Sequence, residues 1–228
     1  MSMYRRTFVF CGLLGTILAS VTLSPAVAQS TPGSVVFSEL MWSGSNASSA
    51  DEWIELYNRS TAPVDLSGWT ITRGDGDEEE VMVLITSAVL QPGGVFLIAN
   101  YDADDARSNL SSTPDLVDAA VSLPNSRLRL RLYDADPSSG RLIDEADDGS
   151  GAPLAGSGGD IKSAMVRVSP DMVGGSSDAW SSALESAGWD AGAEELGTPG
   201  TVAGTLQAND ESATQIAASS WADLKRTR

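Results

Sequence analysis

An all-β sandwich is the fold class this sequence predicts, and three observations predict it. Between residues 34 and 170 the apolar residues fall in short runs separated by turn signals, without long helical periodicity. "SRLRLRLYD" (126–134) alternates strictly, with Leu128, Leu130 and Leu132 on one face and Arg127, Arg129 and Arg131 on the other. That pattern is a half-buried antiparallel strand. Third, "LQPGGVFLIAN" (90–100) puts Pro92 and Gly93 at the central positions of a type II turn, with an apolar strand leaving it.

The chain opens with Arg5 and Arg6, an apolar run from Phe8 to Leu23, and small residues at Ala26 and Ala28. A charged start, an apolar core and an A-x-A exit describe a secretory signal peptide over 1–28, cleaved before Gln29. The rival reading is a retained anchor, for which the run is short of the ~20 residues a spanning helix needs. Cys11 lies inside the run, too early for a lipoprotein cleavage site. Residues 1–28 hold two arginines and no acid, so their loss takes the net charge from −17 to −19. They also hold the one cysteine, so the exported chain has no disulfide and its core must stabilise it alone.

"SVVFSELMW" (34–42) and "EWIELYN" (52–58) are the next two strands. "VDLSGWTIT" (64–72) turns at Ser67-Gly68 into "WTIT", and "VMVLI" (81–85) follows an acidic loop. After the proline-glycine hairpin and the alternating strand, "DPSSG" turns into "RLIDEA" (141–146), and "SAMVRVS" (163–169) closes the series. Beyond Pro170 the pattern changes. Trp180, Ala183, Leu184 and Ala187 stand at i, i+3, i+4, i+7 and Gly188 ends the run, which predicts a short helix. Residues 204–228 have little to bury and read as a linker-like or partly helical tail.

The missing residues prune the chemistry. With no histidine and no cysteine after Cys11, there is no Ser-His-Asp triad, no thiol nucleophile and no ordinary zinc or copper site. Neither lysine, Lys162 or Lys225, follows a serine at S-x-x-K spacing, and no glycine-rich loop ends in G-K-[ST]. The strong negative charge repels nucleic acid and anionic lipid and attracts cations. Carboxylate chemistry and hard-cation binding remain.

"DEWIELYN" (51–58) is where carboxylate chemistry would sit. In a strand, Glu52, Ile54, Leu56 and Asn58 share one face, while Asp51, Trp53, Glu55 and Tyr57 share the other. A glycan hydrolase would pair Glu55 with Glu39 or Asp51, about 5 to 9.5 Å apart in a cleft, with Trp53 stacking on sugar. A carbohydrate-binding module would use the same Trp53 and Glu55. The structural reading has Ile54 and Leu56 filling the sandwich, Trp53 and Tyr57 covering the other face, and the carboxylates at strand ends or in solvent. It is the reading preferred here, and Trp69 is read as core on the same grounds.

Calcium wants six to eight oxygens, and D-x-D spacings in turns supply them. Asp75 and Asp77 in "RGDGDEEE" and Asp102 and Asp104 in "YDADDARSN" are the candidates. Neither loop completes an EF-hand, so both read as solvated. No cofactor is expected, and calcium is expected to shift the melting temperature no more than magnesium at equal ionic strength.

Taken together, "VVFSELMWSGS…ADEWIELYNRSTAPVDLSGWTI" resembles the start of the lamin tail domain as it occurs in exported bacterial proteins. Its signature residues here are Trp42, Glu52, Trp53, Ile54, Glu55, Leu56, Asn58, Leu66, Gly68 and Trp69. Pro92 and Gly93 match the family's hairpin, and "GRLIDEA", "KSAMVRV" and "GTPGTV" its late segments, so the resemblance runs over about 35–203. Where the family has S-M-E-R, this chain has Ala164-Met165-Val166-Arg167, and the glutamate's role does not carry over. The resemblance implies an immunoglobulin-like antiparallel β-sandwich over 34–203 without catalytic activity. It implies a binding or scaffolding module, secreted or at the cell surface. The expected partner is a protein or cell-envelope component, and signal cleavage would leave no membrane span. Lamins of the nucleus use the domain for protein and DNA contacts, and the charge here argues against the latter.

Overall fold

The computed structural model describes residues 33–75 and 78–203. Its strands are β1 (Val35–Met41), β2 (Trp53–Asn58), β3 (Val64–Asp65), β4 (Thr70–Asp75), β5 (Glu78–Leu84), β6 (Val89–Leu90) and β7 (Val95–Ala99). They continue with β8 (Leu116–Val117), β9 (Leu130–Tyr133), β10 (Leu142–Ala146), β11 (Ser157–Gly158), β12 (Lys162–Ser163), β13 (Met165–Arg167) and β14 (Trp180–Ser182). One sheet has the order β14-β13-β1-β2-β7-β8 and the other β10-β9-β4-β5, with β3-β6 and β11-β12 as small ribbons. Every named pairing is antiparallel except β7 with β8. This is the antiparallel sandwich expected from the short alternating runs, in the immunoglobulin-like form that the resemblance implies.

The apolar faces of the two sheets close on each other. Phe37, Ile54 and Leu56 from one meet Trp69, Ile71 and Leu132 from the other, all buried. Gly68, at φ +84, makes the turn that delivers Trp69 to this core, and its amide donates to the Ile85 carbonyl at 2.7 Å. Gly93, at φ +68, occupies the third position of a turn closed by the Gly94 amide on the Gln91 carbonyl at 3.0 Å. Positive φ there is the type II geometry that Pro92-Gly93 implies.

The central strands β1 and β2 are buried along their whole length, on both faces. One face meets the sandwich core; the other is covered by the chain from Ala183 to Ala203. A sheet layered on both sides has no solvent face for its charged residues.

Two expectations are corrected. The helix predicted over 180–187 is absent: Ser177–Ala179 is one 3-10 turn and Trp180–Ser182 is edge strand β14. The edge of β13 claims the backbone, pairing Val166 with Ser181 and Arg167 with Trp180, and the Trp180 indole donates to the Gly174 carbonyl at 2.7 Å. Leu184, which a helix would have buried, is 88% exposed. The alternating strand also starts late, at Leu130, because Arg127 sits at φ 57, outside extended geometry. Its leucines are nonetheless all buried. The tail expected over 204–228 and the leader over 1–28 lie outside the described residues.

Candidate functional site

Of the "DEWIELYN" carboxylates, Asp51 and Glu52 lie at the start of β2, just ahead of Trp53, as expected, and Glu55 lies within it, but none is in solvent, which corrects that part of the expectation. Asp51, Glu52 and Glu55 are all buried, and so is Glu39. A register shift between Phe37 and Glu39 in β1 brings Glu39 directly opposite Glu55, with Leu40 opposite Ile54 and Met41 opposite Trp53. Glu39 and Glu55 therefore stand side by side on the sheet face away from the sandwich core. On the far side of Glu39 in the same row is Val166. A glutamate there, as the family pattern has it, would add a third carboxylate to the row.

The covering segment supplies three of the four hydrogen bonds to this pair, and Ser38 of β1 the fourth. Glu39 Oε1 accepts the Thr198 amide at 2.9 Å and Oε2 the Thr198 hydroxyl at 2.7 Å. Glu55 Oε2 accepts the Gly200 amide at 2.8 Å and Oε1 the Ser38 hydroxyl at 2.9 Å. All four oxygens are thereby engaged. Burial pushes the Glu39 carboxyl up to about 7 against the pull of the two Thr198 bonds. Burial, with Glu39 next to it, also holds Glu55 well above the usual range. Two adjacent carboxyls with raised affinity for protons look like acid catalysis, but catalysis needs a cleft and a substrate path. Here residues 198–200 occupy that place.

Trp53 is fully buried and lies against Trp189 of the covering segment, ring centroids 6.0 Å apart and tilted by 54°. No face of it is open to stack on a sugar, which corrects the carbohydrate-platform alternative. Tyr57 is buried on the same side, near Val36, Val95 and Val202.

Glu52 points the other way. Its Oε2 accepts the Leu123 amide at 2.8 Å, and burial raises its carboxyl to about 7. Asn58 caps the hairpin loop: its amide nitrogen donates to the Ala62 and Leu90 carbonyls, each at 2.9 Å, and its oxygen accepts from Ser60. Trp42 donates its indole N–H to the Ala155 carbonyl at 2.9 Å, and Leu66 is core. Each signature side chain thus tightens a strand, a turn or a loop crossing.

Of the calcium candidates, Asp102 and Asp104 are the two whose side chains are described. Asp102 and Asp104 are exposed in a turn whose neighbouring carboxylate, Asp105, is bound by Arg107 and held down to about 2. Asp77 lies outside the described residues, and Asp75 ends β4 at their edge. Among the described residues no group of three or more acids converges as a metal site. A shallow groove of about 680 Å³ beside Arg73, Glu79, Glu80, Pro124 and Arg127 includes none of the predicted site residues.

Sequence reasoning missed one buried pair. Arg167 is fully buried, and its guanidinium meets the Asp144 carboxylate in two parallel bonds of 3.1 and 3.2 Å. Asp144 Oδ2 also accepts the Phe37 amide at 2.9 Å, so this pair bolts β10 to β1 and β13 across the sandwich. The signals were an Asp among the apolar residues of "RLIDEA" and an Arg inside "MVRV".

Among the described residues no helix is long and apolar enough to cross a membrane. No curated protein matches the chain. The family profile described as Lamin Tail Domain matches residues 28–150, from before β1 to just past β10. That stretch holds the E-W-I-E-L-Y-N strand, the D-L-S-G-W turn and the proline-glycine hairpin whose packing is described above, and the chain belongs to the lamin tail domain family.

Proposed function

We propose that this protein is an exported, non-catalytic lamin tail module that binds or scaffolds at the cell surface or outside the cell, with a protein or envelope component as partner. The observation that carries the non-catalytic part is the occupation of the Glu39–Glu55 pair by Thr198, Gly200 and Ser38. A carboxylate that is to act on substrate needs a free oxygen facing a cleft. Export rests on the charged, apolar and A-x-A pattern of residues 5–28.

A two-part experiment tests this. The host is fractionated and the extracellular or surface protein sequenced from its N-terminus; Gln29 is the expected first residue. The same material is screened against glycan substrates beside Glu55→Gln, and no turnover is expected from either. Glu55-dependent hydrolysis would overturn the non-catalytic reading. A species retaining Met1 in membranes would make residues 8–23 an anchor, and a cytosolic pool alone would refute export.

A further inference from the structure

A second acidic site lies at the end of the sheet where three loops meet, and its oxygens are not all satisfied. Asp51 is 1% exposed and Glu195 fully buried. One oxygen of each is engaged. Asp51 Oδ2 accepts the Asn109 amide at 2.8 Å, while Glu195 Oε1 accepts the Asn109 side-chain amide at 3.1 Å and the Asn46 amide. Asn109 thus touches both carboxylates, which places them side by side. The other two oxygens, Asp51 Oδ1 and Glu195 Oε2, are buried without any hydrogen-bond partner. Buried acceptors are normally satisfied, and an ionised one left alone is costly.

Charge is unbalanced at the same place. The nearby cation is Lys162, whose ammonium donates to the Ser43 and Ser45 carbonyls at 2.9 and 2.8 Å and forms no ion pair with either acid. That ammonium is engaged by backbone carbonyls rather than by either carboxylate. The hydroxyls of Ser45 and Ser108 lie against the Asp51 carboxylate and lower its proton affinity, while their oxygens accept the Ala47, Ser48 and Leu110 amides. Asp51 in turn feels the charge of Glu195, which adds to burial in raising its proton affinity.

We propose that Asp51 Oδ1 and Glu195 Oε2 bind one hard divalent cation of the calcium class, tying the 43–51 loop to Ser108-Asn109 and to the covering segment. The available donors are oxygens only, which selects hard cations over zinc or copper. They come from separate places in the chain, an irregular set that suits calcium's flexible shell better than magnesium's strict octahedron. The net charge of −17 draws such ions toward the protein. The site is distinct from the exposed Asp102 and Asp104 loop.

The test uses the full exported chain, stripped with chelator and titrated with calcium chloride, or with magnesium chloride at matched ionic strength. Melting temperature and calorimetric stoichiometry are read. Calcium is expected to bind saturably at one ion per chain and to raise the melting temperature by about 5 °C or more at saturation, magnesium by less. Glu195→Gln and Asp51→Asn, which keep the side-chain shape and one acceptor oxygen, should each remove the calcium increment. Asp102→Asn with Asp104→Asn should keep it. A calcium effect no larger than that of magnesium, absent saturable heat, or an increment that survives both site variants would overturn the proposal. So would loss of the increment in the Asp102/Asp104 variant. The first two results would mean that a water or a shared proton satisfies the two oxygens.

Discussion

Replacing Glu39 with glutamine should remove a large part of the pH dependence of stability. Burial lifts the Glu39 carboxyl from 4.5 to about 7 in the folded protein. A carboxyl raised on folding binds its proton more tightly in the native state, so its stabilisation is complete below the unfolded value and lost as pH rises through about 7. At about 1.4 kcal/mol per pKa unit, the whole effect is of order 3 kcal/mol, and about 2 kcal/mol of it falls between pH 5 and pH 8. Glu52, also near 7, and Glu55, raised well above the usual range, act with the same sign. The wild type should therefore be more stable at pH 5 than at pH 8. Glu39→Gln cannot ionise and keeps an acceptor for the Thr198 amide. Its unfolding free energy, measured in urea at both pH values, should fall by about 2 kcal/mol less than that of the wild type. A variant with an undiminished pH dependence, or a wild type that gains stability from pH 5 to pH 8, would refute the burial argument.

Two other substitutions probe the sandwich. Trp69→Ala should cost about 3 to 5 kcal/mol in urea unfolding, the range for a large buried aromatic, because Trp69 is 7% exposed inside the main core. A scarcely shifted midpoint would contradict that packing. Arg167→Met leaves the Asp144 carboxylate buried with no guanidinium, at a cost of about 3 to 5 kcal/mol at neutral pH. Loss of less than 1 kcal/mol would mean that water reaches Asp144.

The strands of this fold were legible because period-two alternation and turn residues act locally. Ile54 and Leu56 belong with the core and Trp53 with the opposite face, as the parity of "DEWIELYN" requires. The proline-glycine turn was equally readable. The fate of the glutamates was not, since Glu39 and Glu55 are bound by Thr198 and Gly200, more than 140 residues away in sequence. Nothing in "GTPGT" announces that it will cover a sheet; small residues there read as a loop. Trp189, in an otherwise polar stretch, was the one sign of a second buried layer. The helical spacing of Trp180, Ala183, Leu184 and Ala187 misled because the unpaired edge of β13 offers the backbone a partner that spacing alone does not reveal.

The account rests on the outer face of the β1–β2 pair being closed by the protein's own chain. Hydrogen exchange at the Thr198 and Gly200 amides measures this directly, because each is bonded to a buried carboxylate at 2.9 and 2.8 Å. Both amides should exchange slowly, with protection approaching that of the amides in β1 and β2. Exchange at loop-like rates, with β1 and β2 still protected, would show the segment lifting away to expose Glu39 and Glu55, and would contradict their assignment as structural groups.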